Sequence, residues 1–188
     1  MAVEKVRLRS ATMLFPVPVV VVTVGNMEHA NLVTVAWTGV VCSNPPMVGI
    51  ALRPQRHSHK ILKEQGDFVV NIPSAEQVKL VDYCGMHSGR RKDKFTATGL
   101  TKVPATKVSP PLVEEFPLHL ECRVEKSLPL GSHELFIGRV LAVVANREVL
   151  DETGHIDPSR VAPLAYALER YYSLGPQVGT FGCSRSDN

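Results

Sequence analysis

The sequence predicts a mainly β fold, an antiparallel barrel of Greek-key type with helices inserted between strands. Three observations carry that expectation. Five or six segments are rich in β-branched or apolar residues, several neighbours are separated only by turn residues, and helical patterns occur as inserts without regular alternation. Regular strand–helix alternation would instead point to a doubly wound parallel sheet.

The first segment, Val17 to Val24, is almost wholly β-branched, which disfavours a helix and suits a strand buried on both faces. Gly25, Asn26 and the polar residues to His29 supply turn chemistry before Asn31 to Thr38 resumes strand character, so the pair reads as a hairpin. After a break at Ser43-Asn44-Pro45-Pro46, Met47 to Leu52 reads as the next strand, and Pro54 ends it by removing a backbone donor. From Ser58 the pattern turns helical, with Ile61, Leu62 and Gln65 a turn apart and Gly66 as the stop signal.

Asp67 to Ile72 reads as a fourth strand, and Ser74-Ala-Glu-Gln then matches a capping box opening a helix that runs to about Tyr83. Residues 87–117 lack sustained periodicity and read as an irregular excursion over the barrel. Two long strands follow, Leu118 to Lys126 and Glu134 to Val144, joined through Pro129, Leu130 and Gly131. Pro158 to Tyr172 reads as a short helix or two turns.

Composition narrows the function classes. At 188 residues with 44% hydrophobic content the chain fits one domain, residues 1–188, and a net charge of +3 is too small and too evenly spread to act on a polyanion, so no nucleic acid is expected. The eight-residue apolar run Val17 to Val24 contains a proline and is too short for a secretory or spanning segment, so no membrane is expected and a cytoplasmic protein is. Cys42, Cys84, Cys122 and Cys183 form no Cys-x-x-Cys pair, and Cys84 with His87 is half a ligand set, so no metal site is expected.

The stretch richest in chemistry is Arg53-Pro-Gln-Arg-His-Ser-His-Lys60, where five of eight side chains are cationic or can become so, just before a helix. Helix-opening amides together with Arg or Lys suit a phosphate dianion. On composition alone the plainer reading is favoured, a solvated basic loop with Ser58 as helix cap.

Between two strands, Val41 to Pro46 leaves Cys42, Ser43 and Asn44 as its amide donors before two prolines, a rigid loop able to meet the polar edge of a flavin ring, or a plain turn. Asn31, Thr34, Ala36 and Trp37 lie on the preceding strand, where Trp37 is otherwise a core side chain. No Gly-x-Gly-x-x-Gly follows a strand, no P-loop occurs, and no serine sits in a nucleophile elbow. His119 and His155 read as structural or surface residues.

In order along the chain, Pro18 to Val24, Ala30 to Trp37, Cys42-Ser-Asn-Pro-Pro-Met47, Gly49 to Arg53, Phe68 to Ile72, Asp93-Lys-Phe95, Leu120-Glu-Cys122 and His133 to Val140 resemble the flavin reductase-like, FMN-binding split β-barrel family. The resemblance spans roughly residues 12–175 and is of flavoredoxin type. It implies that Asn31, Thr34, Ala36 and Trp37 line FMN, that Cys42 and Ser43 meet the ring, and that Arg53, Arg56, Ser58, His59 and Lys60 hold the phosphate, with Asn71, Ser88, Lys94 and Phe95 as further contacts.

The resemblance further implies a homodimer with the flavin near the subunit interface, and no catalytic side chain, because the flavin carries the chemistry. His133 matches a residue near the nicotinamide in flavin reductases, where Asp often precedes it; here Ser132 does. The expected activity passes electrons from NADH or NADPH through FMN to a flavin, a ferric complex or a redox protein. Two alternatives remain open: an electron carrier without its own NAD(P)H site, and a flavin-free binding module.

Overall fold

A computed structural model describes residues 3–185. In chain order the strands are β1 (Val17–Pro18), β2 (Val20–Val24), β3 (Asn31–Val35), β4 (Thr38–Ser43), β5 (Pro46–Leu52), β6 (Asp67–Ile72), β7 (Lys102–Val103), β8 (Leu112–Val113), β9 (Leu118–Pro129), β10 (Glu134–Ala145), β11 (Leu164–Ala167) and β12 (Arg170–Ser173). The helices are α1 (His57–Gln65), α2 (Val78–Met86), α3 (Lys94–Thr98) and α4 (Pro158–Val161). Seven strands form one antiparallel sheet in the order β3-β2-β6-β9-β10-β5-β4, curled into a half-barrel.

The first β-branched run divides at Val19. Pro18 has no N–H to donate, β1 pairs with β11, and Val19 N bonds Leu164 O, while β2 continues into the main sheet between β3 and β6. Burial on both faces follows from strand alternation. Val20, Val22 and Val24 join Ile50, Phe68 and Phe136 in one core, whereas Val19 and Val21 join Leu32, Val81 and Phe116 in a second core on the opposite face.

Several expectations hold in detail. Gly66 ends α1 in the left-handed region, with φ 75°, and bonds back to Leu62 O. Ser74 and Gln77 form both halves of the capping box. The box opens a 3-10 turn, Ala75–Gln77, which runs into α2 and carries the helix to Met86, beyond the expected Tyr83.

Two regions differ from expectation. The segment Val41 to Pro46, read as a loop, is mostly strand: β4 and β5 form a hairpin pairing Cys42 with Met47 and Ser43 with Pro46. The two prolines interrupt only the turn, because Pro46 opens a strand and needs no ladder donor there. The segment Pro158 to Tyr172 contains α4 but then a β11–β12 hairpin, turned at Leu168 and Glu169 with φ of 48° and 63°. Neither residue is Gly or Asn, so the turn carries no sequence signature.

Candidate functional site

Two clefts open where β3, the end of β5 and the start of α1 meet α2 and the chain after it. The first, of about 360 Å³, is lined by Asn31, Val33, Arg53, Gln55, Arg56, His57, Ser58, His87, Ser88, Gly89 and Lys94. Its polar wall is built by cross-links between elements. Asn31 Nδ2 donates to Ser58 Oγ at 2.6 Å, tying β3 to α1, and Arg56 donates to Gly85 O at 3.3 Å, tying α1 to α2. Gly89 lies against Asn31 so closely that a Cβ there would stand 1.9 Å from Asn31 Oδ1, which leaves glycine as the residue that fits.

Lys94 enters this cleft from α3. Its ammonium is buried and donates to Leu32 O at 2.7 Å and Cys84 O at 2.6 Å, which leaves one of its three N–H groups for an anion. Burial pushes its pKa down to about 8, the Cys84 thiol partly opposes that, and Arg56 adds to it. The pKa of His57 is likewise lowered, first by burial and then by Arg90, Lys94 and Lys60, so positive charge is concentrated here.

The second cleft, of about 440 Å³, shares Val33, Arg53 and Arg56 with the first and continues along Thr34, Ala36 and Trp37 to His133, Tyr166, Glu169 and Tyr171. Thr34 is fixed by donating to Val81 O, and Trp37 stacks on His133 with ring centroids 5.9 Å apart and planes 7° from parallel. Trp37 is about half exposed, so it forms a wall and not core. Burial, then Arg53, lowers the His133 pKa, favouring a neutral imidazole beside the ring wall. Ser132 Oγ stands 2.9 Å from His133 Nδ1.

Of the residues expected to share one site, Asn31, Arg53, Arg56, Ser58, Ser88 and Lys94 come together in the first cleft, and Thr34, Ala36 and Trp37 in the second. The others do not. His59 turns into the protein, 2.7 Å from Glu134 Oε2 and edge-on to Phe136. Lys60 faces solvent beside Glu64. Ser58 is not the helix cap: Arg56 holds that position, and the Ser58 hydroxyl meets Asn31.

Asn71 is core, donating to Val21 O and Thr23 Oγ1 and accepting from Val113 N and His119. Phe95 packs in the second core. Cys42 and Ser43 sit at the β4–β5 hairpin end; Trp37 bonds Ala51, four positions along β5 from Met47, the partner of Cys42, which is roughly 13 Å at strand rise.

His57, counted in the basic stretch, and His87, counted only as half a metal-ligand set, were not assigned to the site from the sequence, nor were Gln55 and Gly89 in the first cleft or Tyr166, Glu169 and Tyr171 in the second. Gly89, directly after Ser88, was the one local signal available. Burial pushes the Cys84 thiol up to about 11 and that of Cys122 to about 12, so both remain protonated structural thiols. Among the described residues no cluster of His, Cys, Asp or Glu could hold a metal ion, and no helix is long and apolar enough to cross a membrane.

Comparison with known proteins places this arrangement. The chain is similar to the flavoredoxin of Desulfovibrio vulgaris (Miyazaki F), with a TM-score of 0.91, 31% identity and coverage of 97% of this chain and 100% of that one. It is similar to an FMN-binding protein from Thermus thermophilus solved with bound 1-cyclohex-2-enone, with a TM-score of 0.81, 26% identity and coverage of 95% and 99%. An NADH-dependent FMN reductase from Streptomyces nodosus subsp. asukaensis is 32% identical over 136 residues, 72% of each chain. The family model described as "Flavin reductase like domain" matches residues 12–175, and the chain belongs to that family.

Proposed function

We propose that this chain is an FMN-dependent oxidoreductase of flavin-reductase type, taking electrons from NADH or NADPH and delivering them to a flavin, a ferric complex or a redox protein. The carrying observation is one continuous groove whose first cleft is cationic and whose second is walled by aromatic rings. The donor set fits FMN: Arg53, Arg56, Lys94 and the Ser88 hydroxyl suit a phosphate dianion at the start of α1. Thr34, Ala36 and Trp37 suit a flat ring system next to it.

The chemistry a bound FMN supplies is two-electron uptake from a nicotinamide and release to the acceptor. The chain's own residues bind and orient: Arg56 and Lys94 neutralise the phosphate, Asn31 and Ser58 fix the floor between β3 and α1, and the Trp37–His133 pair forms the outer wall. The same reading takes residues 1–188 as one domain of a cytoplasmic homodimer. Exposed Val40 and Val41 on the edge strand β4, and Leu14 and Phe15 on the N-terminal arm, support a subunit contact.

Ser132 at the position before His133 favours a second reading, an electron carrier reduced by a partner protein. Both are tested together by recording the visible spectrum of the purified protein, adding NADH or NADPH anaerobically, and measuring steady-state turnover. The reductase reading expects the flavin band to bleach. A band unchanged by either nucleotide rules it out, and a reducible flavin with almost no NAD(P)H turnover favours the carrier.

A further inference from the structure

The first cleft is lined by the cations Arg53, Arg56 and Lys94 and by no Asp or Glu. A phosphate monoester brings about 1.5 to 2 negative charges at pH 7, so these walls stay positive once it is bound. More positive charge stands at the rim. Arg90 is exposed and makes no ion pair with the described residues, and its backbone N–H donates to Ser88 Oγ at 3.3 Å, which holds it beside the cleft. After burial, Arg90 is the largest cause of the lowered pKa of His57 in the cleft wall, ahead of Lys94 and Lys60. The one acid of residues 87–94, Asp93, is spent on α3, accepting from Phe95 N and Thr96 Oγ1.

A second, independent feature lies on the other side of Ser88. His87 lines the same cleft and stacks on Tyr83, with ring centroids 3.8 Å apart and planes 20° from parallel. Its Nδ1 lies 3.1 Å from Tyr83 O, and because a carbonyl only accepts, Nδ1 carries the proton and donates it there. Tyr83 does not line the cleft, so it backs the imidazole and holds it as a flat surface for another ring. One short stretch, residues 83–90, therefore presents an aromatic platform and an unpaired guanidinium beside the phosphate cleft.

We propose that Arg90 and the Tyr83–His87 pair form a second nucleotide subsite at the rim of the first cleft, which takes the adenosine diphosphate half of a dinucleotide. Arg90 meets the diphosphate, and the adenine stacks on His87, an arrangement in which a planar base needs only a ring face and a cation nearby. The two clefts share Val33, Arg53 and Arg56, so a dinucleotide lying along the groove brings its nicotinamide or flavin ring toward Trp37 while its adenosine end stays at Arg90. The role given to that dinucleotide rests on the flavin reading above; its binding does not.

The test is calorimetric titration of the FMN-loaded protein, its flavin content read from the visible band, with ADP, adenosine and inorganic pyrophosphate at low salt. ADP should bind at least about tenfold more tightly than adenosine, the worth of a charge-assisted hydrogen bond. Arg90→Ala should weaken ADP by about tenfold, and His87→Ala by about fivefold or more through lost stacking. His87→Phe, which keeps a ring, should retain ADP. Pyrophosphate should respond to the Arg90 change and ignore both His87 changes.

Two further arms identify the source of the ADP group. If the nicotinamide donor uses the subsite, ADP competes with NADH in steady-state oxidation and Arg90→Ala raises KM with kcat unchanged. If a flavin dinucleotide uses it, FAD binds flavin-free protein more tightly than FMN does, and Arg90→Ala removes the difference. ADP binding unaltered in Arg90→Ala overturns the proposal, as does ADP that displaces FMN instead of binding beside it, because a single anion site then explains both. A flavin-loaded protein indifferent to ADP loses the subsite alone. A protein that takes up no flavin, yet binds ADP in a way that Arg90→Ala and His87→Ala both weaken, keeps the subsite and loses the flavin reading.

Discussion

Two asparagines on the strands that flank β2 have opposite fates. Asn71 on β6 is completely buried and spends all of its amide on the protein, binding Val21, Thr23, Val113 and His119. The Asn31 side chain on β3 makes one hydrogen bond, to Ser58, and turns its remaining edge to the cationic cleft. A polar side chain on a strand keeps hydrogen-bonding capacity for a ligand only where its partners within the protein run out. A fully satisfied buried amide organises a core.

The largest test of that contrast is Asn71→Ala, which strands a buried amide N–H, a hydroxyl and an imidazole. It should lower stability by about 3–4 kcal/mol in urea unfolding, against less than about 1 kcal/mol for Asn31→Ala. Asn31→Ala should instead weaken FMN retention. Similar unfolding losses in both variants would erase the distinction.

Acid should strike the same core. Burial pushes the His119 pKa down to about 4 from the ordinary 6.5, although the Phe116 carbonyl and Glu121 oppose it. The unfolded chain therefore binds the proton more readily between those values, and stability present above pH 6.5 is lost as pH falls toward 4. The loss is on the order of 3 kcal/mol, read from unfolding midpoints across that range. A His119→Gln variant should flatten part of the profile.

The cleft is tested next by contrasting two cations from the same motif. Arg56→Ala should weaken FMN binding by about 1.5–3 kcal/mol in equilibrium dialysis, the worth of a charge-assisted hydrogen bond. Lys60→Ala, which removes a side chain facing solvent, should change it by less than about 0.5 kcal/mol. Equal losses would relocate the phosphate. Because Lys94 loses its charge above about pH 8, FMN affinity should also decline as pH rises through that value, and Lys94→Met should abolish the decline.

The smallest change tests the floor of the cleft. Gly89→Ala should leave the melting temperature nearly unchanged, because the residue lies at a surface cleft, while pushing Asn31 aside and loosening FMN. An unaltered FMN affinity would mean that the Asn31 edge does not face the ligand.

Much of the scaffold was legible because its signals are local. The β-branched run at residues 17–24, the Gly66 stop and the Ser74–Gln77 box each act through the residues that carry them. The site was legible only in part. Residues 57–60 lie on the first turn of α1, where consecutive side chains fan out by about 100° each, so a linear basic motif cannot face one anion. Ser58 meets Asn31, His59 meets Glu134, and Lys60 meets water. The β11–β12 turn, which brings Tyr166 and Glu169 to the groove, stayed hidden because Leu168 and Glu169 adopt left-handed backbone without the residues that usually announce it.

If the first cleft grips the phosphate end of a flavin mononucleotide, removing that phosphate must cost affinity, and equilibrium dialysis at low salt compares FMN with riboflavin, the same ring and ribityl chain without the phosphate. FMN should bind at least about 100-fold more tightly, the equivalent of one or two charge-assisted hydrogen bonds. Equal affinities for the two, or no uptake of either, would contradict it.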